Sequence, residues 1–418
     1  MVRFIHAADI HLDSPLLGLT RYEGAPVEQL RTATRSALAN LVDLALREQV
    51  DFMIIAGDLY DGDWRDYRTG LYFCRQMARL NEAGIPVFIA YGNHDAKSEI
   101  TRELPLPANV REFPASAPKT WRLDHLDVAL HGQSYRTAAT VENLAAGYPP
   151  AVPGCLNIGV LHTALDGHAD HDPYAPCALD ELLSRGYDYW ALGHVHQYAV
   201  RHEDPWIVYP GNLQGRHIRE QGERGAVLVT ATGSRLSVER CFVDVLRWYH
   251  LYVDVSPCSG MDDVIERVGR SLEPLVRQQA DGRFIAVRVT LRGRTRAHGQ
   301  LFGLETHLRQ GVLAYASELA GDAIWVEKVC LGTSPALTPE ELMARSDALA
   351  DLQDLLAEAV AHPQLLDQLG DTLRELVNRC PRELFAYAPS LEAIREGRIA
   401  SLIEEVAPSL LARLASEP

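Results

Sequence analysis

The sequence predicts an α/β fold, followed by a smaller α+β domain and a helical tail. Three observations carry that reading. Over the first part of the chain, apolar runs of strand length alternate with helix-periodic stretches, the pattern of a layered α/β domain. Further on, Arg283–Arg292 alternates with a period of two. Beyond Glu340, leucines recur at helical spacing between prolines. With 418 residues the chain is too long for one ordinary domain. The pattern divides it into 1–245, 246–335 and 336–418.

The strand candidates of the first part are, in order, Val2–Ala7, Phe52–Ala56, Val87–Ala90, Val128–His131, Ile158–Leu161, Tyr189–Leu192, Ile207–Tyr209 and Ala226–Thr230. Leu30, Ala37, Leu38, Leu41, Leu44 and Ala45 mark a helix between the first two. Leu71, Phe73, Met77 and Leu80 mark another after Asp66. Around Trp248 the pattern changes. His250–Val255 reads as a strand and Asp262–Val276 as a helix with Val264, Ile265, Val268, Leu272 and Leu275 on one side. In the alternating run, Ile285, Val287, Val289 and Leu291 face one way, and Arg288, Thr290 and Arg292 the other. A break follows at Thr333-Ser334-Pro335. In the tail, Leu342, Leu349, Leu352, Leu356 and Val360 form one stripe. Leu366, Leu369, Leu373, Leu376 and Val377 form a second, with Pro363, Pro381, Pro389 and Pro408 as punctuation.

Bulk properties narrow the class. Hydrophobic residues make up 47% of the chain, enough for folded cores. No apolar run approaches the ~18 residues of a bilayer span, and the N-terminal residues lack the pattern of a signal peptide. The seven cysteines (Cys74, Cys155, Cys177, Cys241, Cys258, Cys330 and Cys380) are scattered and never form a Cys-x-x-Cys pair. That argues for reduced thiols, a cytoplasmic location and no cysteine-based zinc site. The net charge of −16 runs against a nucleic-acid surface, but it is uneven. Residues 246–335 hold 11 Lys+Arg against 10 Asp+Glu, whereas 336–418 hold 7 against 15.

Five groups of potential ligands each follow a strand candidate: Asp9-Ile10-His11, Gly57-Asp58-Leu59-Tyr60-Asp61, Gly92-Asn93-His94-Asp95, His162-Thr163 and Gly193-His194-Val195-His196. Loops leaving the C-terminal ends of strands converge in α/β sheets. Carboxylate and amide oxygens with imidazole nitrogens suit divalent transition metals, and paired metals are a general device for cleaving phosphate esters. Taken singly, each group has a plain structural reading: an Asx-turn for Asp58, a polar turn for Asn93-His94, a hydrogen-bonded core histidine for His162. Asp9 and His11, like His194 and His196, are two apart, which on a strand end would send both side chains to one face. The joint order of all five points to a phosphoesterase.

These motifs resemble the signature of the calcineurin-like metallophosphoesterases. Within them the sequence is similar to the SbcD-type DNA repair nucleases and, more closely, to the bacterial YhaO group. The matching stretches are Phe4 to Pro15, His171-Asp172-Pro173-Tyr174, Asp188 to His196, Tyr209-Pro210-Gly211-Asn212 and Gly215-Arg216-His217. The resemblance covers about residues 1–245 and is thin beyond. It implies a four-layer α/β/β/α sandwich binding two divalent ions, Mn²⁺ by preference. One ion would be held by Asp9, His11, Asp58 and His196, the other by Asp58, Asn93, His162 and His194. It further implies that a metal-activated water attacks, that His94 meets the scissile phosphate, and that Asp95 orients His94. Where archaeal and eukaryotic relatives carry a second histidine, this chain has Asp61, which has either a supporting or a structural role.

The resemblance also implies DNA as substrate and a coiled-coil ATPase of SbcC type as partner, because the chain has no phosphate-binding loop of its own. A homodimer is a further family trait; no membrane association is expected. Arg283, Arg288, Arg292, Arg294 and Arg296 form a basic stretch without intervening acids, which is either a phosphate-tracking face or a solvated strand face. The leucine-striped tail either docks the partner or packs on its own chain. Arg216, His217 and Arg219 follow the Gly211-Asn212 turn, structural by default or else close to the cleft. Two other functions compete with the nuclease: a phosphoesterase for cyclic nucleotides or phosphoproteins, and a non-enzymatic adaptor that keeps the fold.

Overall fold

A computed structural model describes residues 1–14, 27–61, 67–97, 105–166, 174–301, 304–336, 347–380 and 389–414. Asp66, the His171-Asp172-Pro173 stretch, Leu342 and Pro381 lie outside the described residues. The chain divides into two compact units. Met1–Tyr249 with Ala280–Ala286 make the first; His250–Gln279 with Val287–Pro418 make the second.

In the first unit the elements run β1 (Val2–Ala7), α1 (Val27–Glu48), β2 (Phe52–Ala56), α2 (Tyr67–Glu82), β3 (Val87–Ala90) and β4 (Val110–Glu112). Then come β5 (Lys119–Leu123), β6 (Val128–Gly132), β7 (Leu156–His162), α3 (Leu179–Leu183) and β8 (Tyr189–Gly193). The unit continues with β9 (Ala199–Glu203), β10 (Trp206–Tyr209), β11 (Gly225–Thr232) and β12 (Arg235–Phe242). They form two six-stranded sheets, ordered β12-β11-β1-β2-β3-β4 and β5-β6-β7-β8-β10-β9. β1 to β4 are parallel, and β11 returns antiparallel to β1.

Alternation along each strand builds the layers. Ile5, Ala7, Met53, Ile55, Val87 and Ile89 pack with Leu38, Leu41, Phe73 and Met77 of α1 and α2. The intervening Phe4, Phe52, Ile54 and Phe88 pack with Leu130, Ile158, Val160, Tyr189 and Val208 of the second sheet. The outer face of that sheet, with Trp190, Leu192 and Ile207, is covered by Ala145, Tyr148, Leu165 and Leu182. This is the expected α/β/β/α sandwich. Residues of β1, β2 and β3 are buried on both faces, so they read in sequence as continuous apolar runs.

The second unit contains most of β13 (Leu246–Asp254), then α4 (Met261–Gln279), β14 (Phe284–Thr295), α5 (His298–Leu301), α6 (Glu305–Ala320) and β15 (Ile324–Pro335). The three strands form one sheet in that order. Ile285, Val287, Val289 and Leu291 are fully buried, while Arg292 is exposed and Arg288 and Thr290 are half-buried. The alternation expected of this strand is present. The tail forms α7 (Asp347–Ala361), α8 (Pro363–Val377), α9 (Pro389–Arg395) and α10 (Ile399–Leu414). α10 packs against α7, α5 and β15, and Val377, Ile394 and Ile399 share a small core with Leu366, Leu373 and Leu402.

Candidate metal centre

The loops that leave β1 and β2 are zipped together by backbone bonds. The amides of Asp9, His11 and Leu12 donate to the carbonyls of Gly57, Asp58 and Leu59 at 3.0, 3.0 and 2.9 Å. Asp9, His11 and Asp58 all have φ between 45° and 49°, and His194 has φ of 104°. Left-handed backbone is uncommon for residues with a Cβ, and it concentrates at functional sites. The expectation that Asp9 and His11 share a face through strand periodicity is therefore corrected. β1 stops at Ala7, and the two side chains converge because both residues turn left-handed. His194 and His196 diverge, with His194 alone of the two at positive φ. The His194 ring lies against His162 with centroids 5.2 Å apart, whereas the His196 ring lies against His11 at 4.9 Å.

Two glycines permit the close approach. A Cβ on Gly57 would sit 2.1 Å from His162 Nδ1, and one on Gly193 would sit 1.8 Å from the Ala56 carbonyl oxygen. Gly57 also has φ of 95°, which only glycine adopts without strain.

The ligand atoms crowd around a common volume. His11 Nε2 is 3.2 Å from His196 Nε2 and 3.8 Å from Asp58 Oδ2. His196 Nε2 is 4.0 Å from Asp9 Oδ1. His162 Nε2 is 3.1 Å from Asn93 Oδ1 and 3.5 Å from Asp58 Oδ2. Among the described residues three overlapping groups could each hold a cation: Asp9, His11 and His196; His11, Asp58 and His94; Asp9, Asp58 and His162. Asp9, His11 and Asp58 each recur in two of them.

Protonation decides whether cations fit. The His162 Nδ1 proton donates to the Ala56 carbonyl at 3.0 Å, so the neutral ring presents a lone pair at Nε2. That lone pair faces two acceptor oxygens, of Asn93 and Asp58. Burial lowers the His162 pKa to about 3 and that of His11 to about 3, so neither ring carries a compensating proton near neutrality. Burial likewise pushes the Asp9 carboxyl up to about 7, only partly offset by His196. Converging lone pairs and a carboxylate uncomfortable with its own charge are what divalent cations relieve. Mutual spacings of about 3–4 Å suit donors that each sit ~2 Å from one ion. The residues present fit the metals that the sequence resemblance implies.

Beside this cluster stands His94, whose backbone N–H donates to Asp58 Oδ1 at 3.0 Å. Its Nδ1 lies 2.8 Å from Asp61 Oδ1. Burial opposes a charge on His94, but Asp61 and Asp58 outweigh it and raise its pKa. Burial also works against the charge of Asp61. The His11 ring, 3.6 Å away, and the 2.8 Å contact with His94 overcome it and hold the carboxyl far below the ordinary range. Orientation of the His94 ring thus falls to Asp61, which corrects the role expected of Asp95. The Asp95 oxygens accept the amides of Leu59, Tyr60 and Gly92 at 3.1, 2.8 and 3.0 Å. Asp95 ties the loops after β2 and β3 together.

Glu220, outside every motif, and Arg216, expected to be structural or close to the cleft, complete the surroundings. Glu220, buried, accepts the Nδ1 proton of His196 at 2.8 Å. Arg216 reaches Glu220 at 3.1 Å, Ser14 at 3.3 Å and Asp61 at 3.7 Å. Glu220 follows no apolar run, so strand-end reasoning had no signal for it.

The basic stretch is less uniform than its sequence. Arg283 pairs with the buried Asp244 at 2.6 Å, and Arg288 grips Glu327 through two bonds of 2.7 and 2.6 Å. Arg292 lies 3.6 Å over the Tyr252 ring. Arg292, Arg294 and Arg296 are exposed.

Stacked sheets with carboxylates and imidazoles gathered at strand ends define a metal-dependent phosphoester hydrolase. The model of the calcineurin-like phosphoesterases matches residues 2–198, and that of the middle domain of the metallophosphoesterase YhaO matches residues 248–334. An uncharacterised metallophosphoesterase, YhaO of Bacillus subtilis, is 36% identical over 294 residues, covering 69% of this chain and 71% of its own. The DNA double-strand break repair protein Mre11 of Sulfurisphaera tokodaii is 26% identical, covering 59% of this chain and 64% of its own. Mre11 of Aeropyrum pernix is 25% identical, covering 64% and 67%. The chain belongs to the calcineurin-like metallophosphoesterases, in the YhaO branch of that family.

Proposed function

We propose that this phosphoesterase is a DNA exo/endonuclease that hydrolyses phosphodiester bonds with two divalent ions, Mn²⁺ by preference. The observation that carries the reading is the convergence of Asp9, His11, Asp58, His162 and His196, with Asn93 against His162, beside a carboxylate-held His94. Similarity to the Mre11 repair proteins supports DNA as the substrate class. When bound, the metals supply Lewis-acid polarisation of the phosphoryl group and acidify the attacking water. The chain's own residues do the rest. Asp61 accepts the Nδ1–H of His94 and, with Asp58, favours the imidazolium, whose Nε2–H would meet the phosphate or pass to the leaving oxygen. Asp95 holds the His94 loop against the Asp58 loop. Left-handed backbone at Asp9, His11 and Asp58 fixes the ligand directions before substrate arrives.

In this reading residues 246–335 act as a cap that meets DNA. Its exposed Arg292, Arg294 and Arg296 track phosphates, while Arg283 and Arg288 serve structural ion pairs. Residues 336–418 dock a coiled-coil ATPase of SbcC type through the exposed Leu355, Leu365, Leu369, Val406 and Leu410. We infer a cytoplasmic location from the scattered, odd-numbered cysteines. Among the described residues no helix is long and apolar enough to cross a membrane. A homodimer would match the family pattern.

One observation favours a second reading. With two of five arginines spent on ion pairs and a net charge of −16, the same centre would also suit a phosphodiester or phosphoprotein of smaller charge, such as a cyclic nucleotide. The adaptor reading is disfavoured, because a scaffold needs no complete ligand set.

The test is cleavage of end-labelled duplex and single-stranded DNA with Mn²⁺, beside Asp58→Asn and His94→Ala. Cleavage by the native chain, lost in both variants, supports the nuclease. Hydrolysis of a bis-aryl phosphodiester or a cyclic nucleotide, with DNA intact even when the ATPase is added, would replace it by the second reading.

A further inference from the structure

Glu220 sits where no ligand motif lies, yet it is the acid that touches His196. A carboxylate can only accept, so the 2.8 Å contact to Nδ1 fixes the proton there and leaves the His196 lone pair at Nε2. That atom faces His11 Nε2 at 3.2 Å and Asp9 Oδ1 at 4.0 Å. With Nδ1 protonated, the Arg216 Nη2 atom 3.4 Å away is not bonded to the ring. Its partner is Glu220 Oε1, at 3.1 Å.

Glu220 is itself fixed from its other side. Oε2 accepts the Arg216 backbone amide at 2.7 Å, and the Glu220 amide donates to the His217 carbonyl at 2.9 Å. The 216–220 turn therefore closes around the carboxylate. Only 6% of its side-chain surface is exposed, so a solvent molecule could not readily replace it. Arg216 then extends to Ser14 and Asp61, the acid that holds His94. One guanidinium thus spans the acids behind two histidines of the centre.

We propose that Glu220 is a positioning residue for the metal centre: it fixes the tautomer and direction of His196 and so strengthens cation binding by Asp9, His11 and His196, with Arg216 holding Glu220 in place. Imidazole ligands elsewhere take such partners, whose removal costs about 10–100-fold in metal affinity. This inference rests on reading the centre as a metal site. It assigns Glu220 no contact with substrate, and it makes metal affinity, not the chemical step, the quantity that Glu220 controls.

The test is Mn²⁺ titration of the full chain, monitored by calorimetry and by the electron paramagnetic resonance of free Mn²⁺. The native chain is compared with Glu220→Gln and Glu220→Asp, each also melted in chelator. The Gln variant keeps an acceptor but loses the charge. The expected result is one binding step weakened about 10–100-fold in Glu220→Gln and partly restored in Glu220→Asp, with metal-free melting unchanged. Equal affinity of all three chains would overturn the proposal. So would a Gln variant that melts earlier without metal and loses both steps together, since the role would then be packing. If the native chain itself binds no Mn²⁺, the metal-centre reading fails first.

Discussion

His94 Nδ1 and Asp61 Oδ1 stand 2.8 Å apart, which makes Asp61 the acid that orients His94 at the ligand cluster. His94→Ala is expected to lower hydrolysis by about 10²–10⁴-fold, the usual contribution of a positioned acid–base group. Asp61→Asn should cost less and leave Mn²⁺ stoichiometry unchanged. Steady-state rates with a bis-aryl phosphodiester, alongside metal analysis of both variants, check this. Full activity in Asp61→Asn would refute the assignment.

Metal should stabilise the first unit by mass action. At a concentration 100 times the dissociation constant the gain is about 2.7 kcal/mol. Melting in chelator and in Mn²⁺ should therefore differ by several degrees. Asp58→Asn should abolish that difference while melting in chelator no lower than the native chain, because it removes a charge that opposes those of the buried Asp9 and Asp95. A metal-dependent shift that survives in Asp58→Asn would dismiss Asp58 as the central ligand.

Gly193 offers a steric test. Its missing Cβ is what lets the end of β8 approach the Ala56 carbonyl. Gly193→Ala must push backbone apart, at a cost of about 1–3 kcal/mol or more, and should carry His194 and His162 out of register. Thermal unfolding with Mn²⁺ titration measures both effects, and an unchanged affinity would show that the centre tolerates the displacement.

The arginines separate stability from binding. Arg283→Ala leaves the buried Asp244 with one fewer partner, so about 1–3 kcal/mol of stability should be lost. Arg292→Ala and Arg296→Ala should leave melting nearly unchanged. If these side chains track phosphates, each should reduce the slope of log affinity for DNA against log salt by about 1. Binding isotherms at several salt concentrations decide it; an unaltered slope would remove them from the DNA surface.

Strands buried on both faces were legible from sequence. Val2–Ala7, Phe52–Ala56 and Val87–Ala90 appear with the bounds their apolar runs suggest. Strands with exposed or alternating residues were missed: Lys119–Leu123, Ala199–Glu203 and Arg235–Phe242 carry charged side chains toward solvent and lie at or near sheet edges. Helix α6 escaped because its buried stripe, Leu308, Val312 and Ala316, is blurred by Leu313, Ala314 and Tyr315 between the last two. In the site, the ligand groups could be found because each follows a buried strand. The pairing of His94 with Asp61, and of His196 with Glu220, could not. Both depend on ring orientation, and Glu220 comes from a turn that no periodic pattern announces.

The first unit is not one uninterrupted piece of chain. Residues Ala280–Ala286 return to it after the α4 excursion, bringing Arg283 to Asp244 and the Phe284 amide to the Val245 carbonyl. No single cut can therefore separate the hydrolase from the second unit. A recombination event or an expression boundary placed at Tyr249 would discard a structural strut and leave Asp244 short of one counter-charge. During synthesis, too, the ribosome must release the residues through Ala286 before the hydrolase can finish folding. Its inheritance as a unit with the second part of the chain is written into the backbone path.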